Sequence, residues 1–247
     1  DDSDAQALGL NGHAHRMFLA DFYTGKFFGS AARGVDFQTD DQSGERRTSG
    51  SSASLAGIEA ALESGSADEL DTAVARYLCA YSMVFGFGGI PLLYMGDEIG
   101  MLNDESYVAD PSKQNDNRWI HRPGMNWELA ELSASAPEGS SDLVAVRIRE
   151  GINRIISARI SIPSLHAAVA TRVRASQASG VVIFERHHAA GDLVQLYNLA
   201  SEPRQVASTE LAGLQGELID QLTGNSYQSQ LGISLSPYQV LWLMGKN

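Results

Sequence analysis

This 247-residue sequence predicts an α/β part followed by an all-β part. Three observations lead there. Helical spacing dominates up to Pro163 and gives way to short β-rich runs after it. A helix with a capping signal near residue 67 leads into the apolar run GIPLLYM at 89–95, which reads as a buried strand. That run breaks without a spacer into Gly96-Asp97-Glu98, and in α/β barrels the functional surface sits at the carboxyl ends of the strands.

Taken in order, residues 12–28 place Met17, Phe18, Phe22 and Phe27 on one stripe and predict a helix ending near Gly25 or Gly29. Residues 33–55 are rich in Gly, Ser, Asp and Thr and predict a long loop, then a short helix that exits at Gly65. Ser66 with Glu69 three residues later has the form of a capping box, and Leu70, Val74, Tyr77, Tyr81 and Val84 continue at helical spacing, which predicts a long helix over about 67–85. Helix, strand and strand-end loop make one αβ unit of a parallel sheet. Residues 103–127 predict a second long loop. A Ser/Ala-rich stretch at 133–141 leads to a helix from about Asp142 to Arg159, with Val144, Ile148, Ile152 and Ile155 on one face. After Pro163, runs such as VVIFERH, LVQLYNLA and PYQVLWL predict an antiparallel β-domain. The division is therefore 1–163 and 164–247.

Composition narrows the function. With 18 Lys+Arg against 30 Asp+Glu, the net charge of −12 argues against nucleic acid and against anionic membrane surfaces. No apolar stretch is long enough to span a bilayer. Cys79 is the only cysteine, so no intrachain disulfide is available, and its helical setting reads as a buried hydrophobe. The six histidines show no zinc spacing, and Asn103-Asp104-Glu105 lacks the EF-hand pattern, so no metal is expected. No signal peptide is visible, but the chain starts at Asp1 and reads as a piece of a longer protein. Its compartment is left open, with the cytoplasm favoured.

Asp97 and Glu98 could serve acid/base chemistry, but neighbours on an extended chain point to opposite faces and are badly placed to flank one glycosidic bond. A bracing role at a strand end is the better reading. Arg46-Arg47 and Arg118-Trp119 sit in the two long loops, where an arginine fork suits carboxylates and sugar hydroxyls.

GGIPLLYMGDEIG is similar to the segment that closes strand eight in the α-amylase family of glycoside hydrolases, family 13. NRWIHRPGMNW resembles the loop after it in the sucrose- and maltooligosaccharide-active members. The final LSPYQVLWL looks like the last strand of that family's C-terminal β-sandwich, and HRMFLADFYTGKFFGSAARGVDFQ with SGERRTSG narrow the resemblance to the amylosucrase and sucrose-hydrolase branch. It implies the last units of a (β/α)8 TIM barrel over 1–163 and a C-terminal antiparallel β-sandwich over 164–247. It also implies that the catalytic carboxylates lie before Asp1, that the chain alone is inactive, and that exposed barrel edges favour self-association. By carry-over, Arg118 would close the floor of the glucosyl pocket in an ion pair with an acid outside this chain. Arg47 would serve the neighbouring acceptor or fructosyl subsite, and Arg16 would contact longer oligosaccharide chains. Arg46 stands where a small residue is expected. The implied parent is a retaining glucosyl enzyme using sucrose or an α-glucan and no cofactor. Trehalose synthase, α-glucosidase and a non-catalytic carbohydrate-binding or structural protein are the alternatives.

Overall fold

Residues 2–137, 143–211 and 213–246 are described by the computed structural model. The chain divides into two units, one of residues 1–73 and 95–135, the other of residues 74–94 and 136–247. This partition assigns residues 74–94 and 136–163 to the β-domain's unit, so it does not coincide with a cut after Pro163.

The first unit begins with α1 (Asp2–Ala7) and α2 (Gly12–Tyr23). Asn11 caps α2 by accepting the Ala14 N–H at 2.9 Å, an N-cap contact of the usual kind. A short antiparallel ribbon follows, β1 (Val35–Phe37) against β2 (Arg47–Ser49), with Phe37 opposite Arg47 and Val35 opposite Ser49. Part of the stretch expected as loop is thus paired strand. Helices α3 (Ser52–Leu55) and α4 (Ile58–Ser64) come next. The long helix α5 (Ala67–Phe87) then starts in this unit and continues in the second. Its start follows the sequence signal, with Ser66 Oγ accepting the Glu69 N–H. The unit closes with α6 (Trp127–Ser135) after three 3₁₀ turns: Asp97–Ile99, Glu105–Ala109 and Asn117–His121.

In the second unit, α7 (Val144–Ser161) presents the predicted face: Ile148, Ile152 and Ile155 are buried. Asp142, the expected start, lies outside the described residues, as does part of the 133–141 stretch. The helices α5 and α7 touch through Gly151, where a Cβ would lie 2.5 Å from a Leu78 methyl. Among the described residues eight strands follow: β3 (Arg172–Ala175), β4 (Val181–Arg186), β5 (Leu193–Asn198), β6 (Arg204–Val206), β7 (Glu217–Asp220), β8 (Ser226–Gln228), β9 (Ile233–Leu235) and β10 (Val240–Gly245). Six form an antiparallel sheet in the order β3-β4-β5-β10-β7-β8, and β6 pairs with β9 in a separate ribbon. Every residue of β5 is buried, as expected for a central strand covered on both faces. One face packs Ile183, Leu196, Leu218 and Leu241 with Val206, Ile233 and Leu235 of the ribbon, a sandwich core. The other carries Phe184 and Tyr197 against Cys79 and Met83 of α5. Burial pushes the Cys79 thiol up to about 12, which leaves it inert.

The strand expected at GIPLLYM is not formed. Residues 90–94 lack regular structure, with Ile90 92% and Leu92 80% exposed, and every strand pair among the described residues is antiparallel. A strand exists only when a neighbour takes its N–H and C=O groups, and no described strand lies beside this run. Its apolar sequence is right for a buried strand, but its surroundings are not. At the helix end before it, Arg186 is completely buried. It donates from Nε to Ser164 O (2.6 Å), from Nη1 to Phe87 O (2.8 Å) and Thr171 Oγ1, and from Nη2 to His166 O (2.9 Å) and Val169 O (2.7 Å). Arg159 adds donors to Phe85 O and to Gly89 O (2.7 Å). The orphan carbonyls at the α5 C-terminus, the negative end of the helix dipole, are thereby met by two guanidinium groups.

Candidate functional site

The first unit's polar cleft grows out of two local structures. One is the corner where β1 ends. Phe37 closes the strand, and Gln38 turns the chain with φ 50° in the left-handed region. The other is the 3₁₀ turn Asn117–His121, which Asp116 starts by accepting the Arg118 N–H at 3.1 Å. The same carboxylate grips the Arg118 side chain at both oxygens, Nε to Oδ1 at 2.8 Å and Nη2 to Oδ2 at 2.7 Å. Such a two-point pair favours the charged form of both partners. It holds the Asp116 carboxyl at about 2 and raises the Arg118 guanidinium. The Arg118 guanidinium lies 5.6 Å from the centre of the Phe37 ring. Asn117 Nδ2 donates to the Asp36 carbonyl and ties the turn to the ribbon.

Between these pieces lies a cleft of about 550 Å³ lined by Phe37, Gln38, Gln114, Asn115, Asp116, Asn117 and Arg118. Amides, one ring and one internally neutralised ion pair suit a neutral, hydroxyl-rich ligand: amides donate and accept, and the ring offers a stacking face. Glycoside chemistry itself needs two facing carboxyl groups, one of them protonated. The cleft has one, and Arg118 keeps it ionised. Among the described residues no group of three or more His, Cys, Asp or Glu could hold a metal ion.

Of the three expected arginines, one lines the cleft and a second touches a lining residue. Arg118 lines the cleft, and Arg47 Nη1 donates to Gln38 Oε1 at 3.2 Å from β2. Arg16 does not join them. It bridges Asp2 (Nη1 to Oδ1, 2.6 Å) and Glu45 (Nη2 to Oε1, 2.7 Å), and Glu45 also meets His13 Nδ1 at 3.0 Å. Within this chain the acid that pairs with Arg118 is Asp116, two residues away. The Asp-x-Arg spacing at the start of the turn is the signal that could have found it. Arg46 is a brace. It pairs with Asp21 and lies 2.9 Å from Asp36, which also pairs with Lys26. Neither acid could have been inferred from its neighbours in sequence. The two acids of MGDEIG have separate tasks: Asp97 accepts the Ser52 hydroxyl, and Glu98 turns back to the Gly96 N–H at 2.8 Å.

Comparison with known proteins shows what the chain is similar to. Residues 171–244 match the family model for the amylosucrase C-terminal domain. Among solved structures, AmyP in complex with maltotriose is 20% identical with a TM-score of 0.56, covering 79% of this chain and 38% of that one. AmyP in complex with maltose is 18% identical with a TM-score of 0.52, over 72% and 36%. An Anoxybacillus α-amylase is 22% identical with a TM-score of 0.51, over 77% and 36%. The chain spans less than two-fifths of the length of each of these structures. Residues 171–244 are thus similar to an amylosucrase C-terminal domain, and the chain shares its fold with parts of AmyP and of an Anoxybacillus α-amylase.

Proposed function

We propose that the chain is the carboxyl-terminal part of an amylosucrase-like retaining glucosyl enzyme acting on sucrose or α-glucans. The observation that carries this reading is the match of residues 171–244 to the amylosucrase C-terminal domain. The complexes of AmyP with maltotriose and maltose support an α-glucan as donor or acceptor. In this reading residues 1–163 are the last βα units of the barrel and 164–247 its sandwich. The catalytic carboxylates then precede Asp1. A glucosyl group passes to one of them and is released to water or a glucan by double displacement. The amide-lined cleft with Arg118 and Arg47 belongs to the sugar-binding floor, and Arg16 to a more distant contact with long chains.

The test is to incubate the full-length parent separately with sucrose, maltose and trehalose. The expected result is turnover of sucrose with release of fructose, while residues 1–247 alone release nothing above a heat-killed control. A parent that leaves sucrose intact and consumes maltose or trehalose overturns the amylosucrase-like reading.

A further inference from the structure

The 3₁₀ turn that carries Arg118 is mounted on the ribbon that carries Arg47 at two points. At its start, Asn117 Nδ2 donates to the Asp36 carbonyl of β1. At its end, His121 Nδ1 lies 2.8 Å from Ser49 Oγ of β2. Ser49 is 4% exposed and stands two residues beyond Arg47. Between the two ties, Ile120 is 1% exposed, and its carbonyl accepts the Asp104 N–H at 2.8 Å. The turn is therefore fixed in depth by Ile120 and in position by its two ends, with Arg118 lying between them.

We propose that His121, through its hydrogen bond to Ser49, is a positioning residue that sets the separation of Arg118 from Arg47 and so the width of the polar cleft. This rests on the sugar-binding reading of that cleft. A hydroxyl–imidazole contact suits the task because neither group is a mobile charge, and the imidazole ring is stiff between its backbone and Nδ1. With His121 neutral, Nδ1 accepts the Ser49 hydroxyl proton while Nε2 carries its own. Charging the ring is opposed by burial and by Arg122 and Arg118, with Asp116 and Asp97 acting in the other sense, and its pKa is lowered. The neutral strut therefore persists below the ordinary histidine range.

The test uses the full-length parent and four variants. Ser49→Ala and His121→Ala remove the strut. His121→Asn places a polar atom near the position of Nδ1 and keeps it. His121→Gln reaches toward the Nε2 position and does not. Expected are a rise in KM for the sugar substrate of about tenfold in Ser49→Ala, His121→Ala and His121→Gln with kcat within about threefold, and near-normal KM in His121→Asn. Hydrogen exchange of the Arg118–Arg122 amides, read without any substrate, should quicken in the same three variants and not in His121→Asn. Unchanged exchange and unchanged KM in Ser49→Ala overturn the proposal, as does a uniform fall in Tm across all four variants with KM untouched. If the parent fails on sucrose but exchange follows the predicted pattern, the sugar-binding reading falls and the mounting of the turn stands.

Discussion

A single carboxylate at Asp116 starts a turn, neutralises Arg118 and is thereby removed from acid/base work. Its pKa gives a direct check. An ordinary aspartate titrates near 3.9, and the Arg118 hydrogen bonds hold this one at about 2. A group whose folded pKa is depressed stabilises the fold above its unfolded pKa and loses that contribution as pH falls through the folded value. The pair should therefore persist at pH 4 and fail toward pH 2. Carbon-detected NMR titration of the Asp116 carboxyl should show a midpoint near 2, returning to about 4 in Arg118→Ala. A midpoint near 4 in the unmodified chain would show the pair is not held in solution. At this scale the sequence was half legible. Arg118 and Arg47 stand out as arginines in polar loops. Their partners Asp116 and Gln38 do not, because a loop carboxylate or amide is ordinary until the backbone turn aims it.

Among the elements, α5 shows which signals travel well. Its capping box and its spacing of apolar residues are local, so its bounds were readable to within two residues. Gly86, inside this helix, was not, because its reason lies in the sheet. A Cβ there would stand 2.2 Å from Tyr197 Oη, and the Gln195 amide is as close. Tyr197, Gln195 and Trp242 are all fully buried, and the Trp242 indole donates to Tyr197 Oη at 3.2 Å. Replacing an exposed helical glycine with alanine gains about 1 kcal/mol. Overpacking a core costs about 1–3 kcal/mol. Here the second effect should win, because the group in the way belongs to a hydrogen-bonded buried cluster that cannot retreat without losing partners. Gly86→Ala should lower the urea midpoint, and a raised midpoint would show that the cluster yields. The run at residues 90–94 is the converse case. Its residues were read as strand-forming, but a strand is a property of two segments, and the second is not in this chain's described part.

For the whole molecule, the exposed Ile90 and Leu92 beside Met95, Tyr94 and Phe87 give a run of apolar side chains in water. Monomeric proteins seldom leave such a run uncovered. Residues 1–247 on their own should therefore associate at micromolar concentration, and Ile90→Lys with Leu92→Lys should return the chain to a monomer in sedimentation velocity. A chain already monomeric at 50 μM, roughly the upper range of such runs, would count against this exposure mattering. The fold class was legible because the change from helical to alternating spacing at Pro163 is written in the residues. The grouping of α5 and α7 with the β-domain was not, since it depends on Cys79 and Leu78 finding Phe184, Tyr197 and Gly151 across long stretches of chain. Arg186 belongs to the same class, and it leaves one consequence. Among the described residues its hydrogen-bond partners are all neutral oxygens, with no carboxylate among them. A fastening made of a permanent cation and backbone dipoles has nothing to protonate between pH 3 and 10 and no counter-charge for salt to screen. Acid or brine can loosen the ion pairs around Arg16, Arg46 and Arg118, while the joint between the end of α5 and the β-domain should keep the same strength throughout.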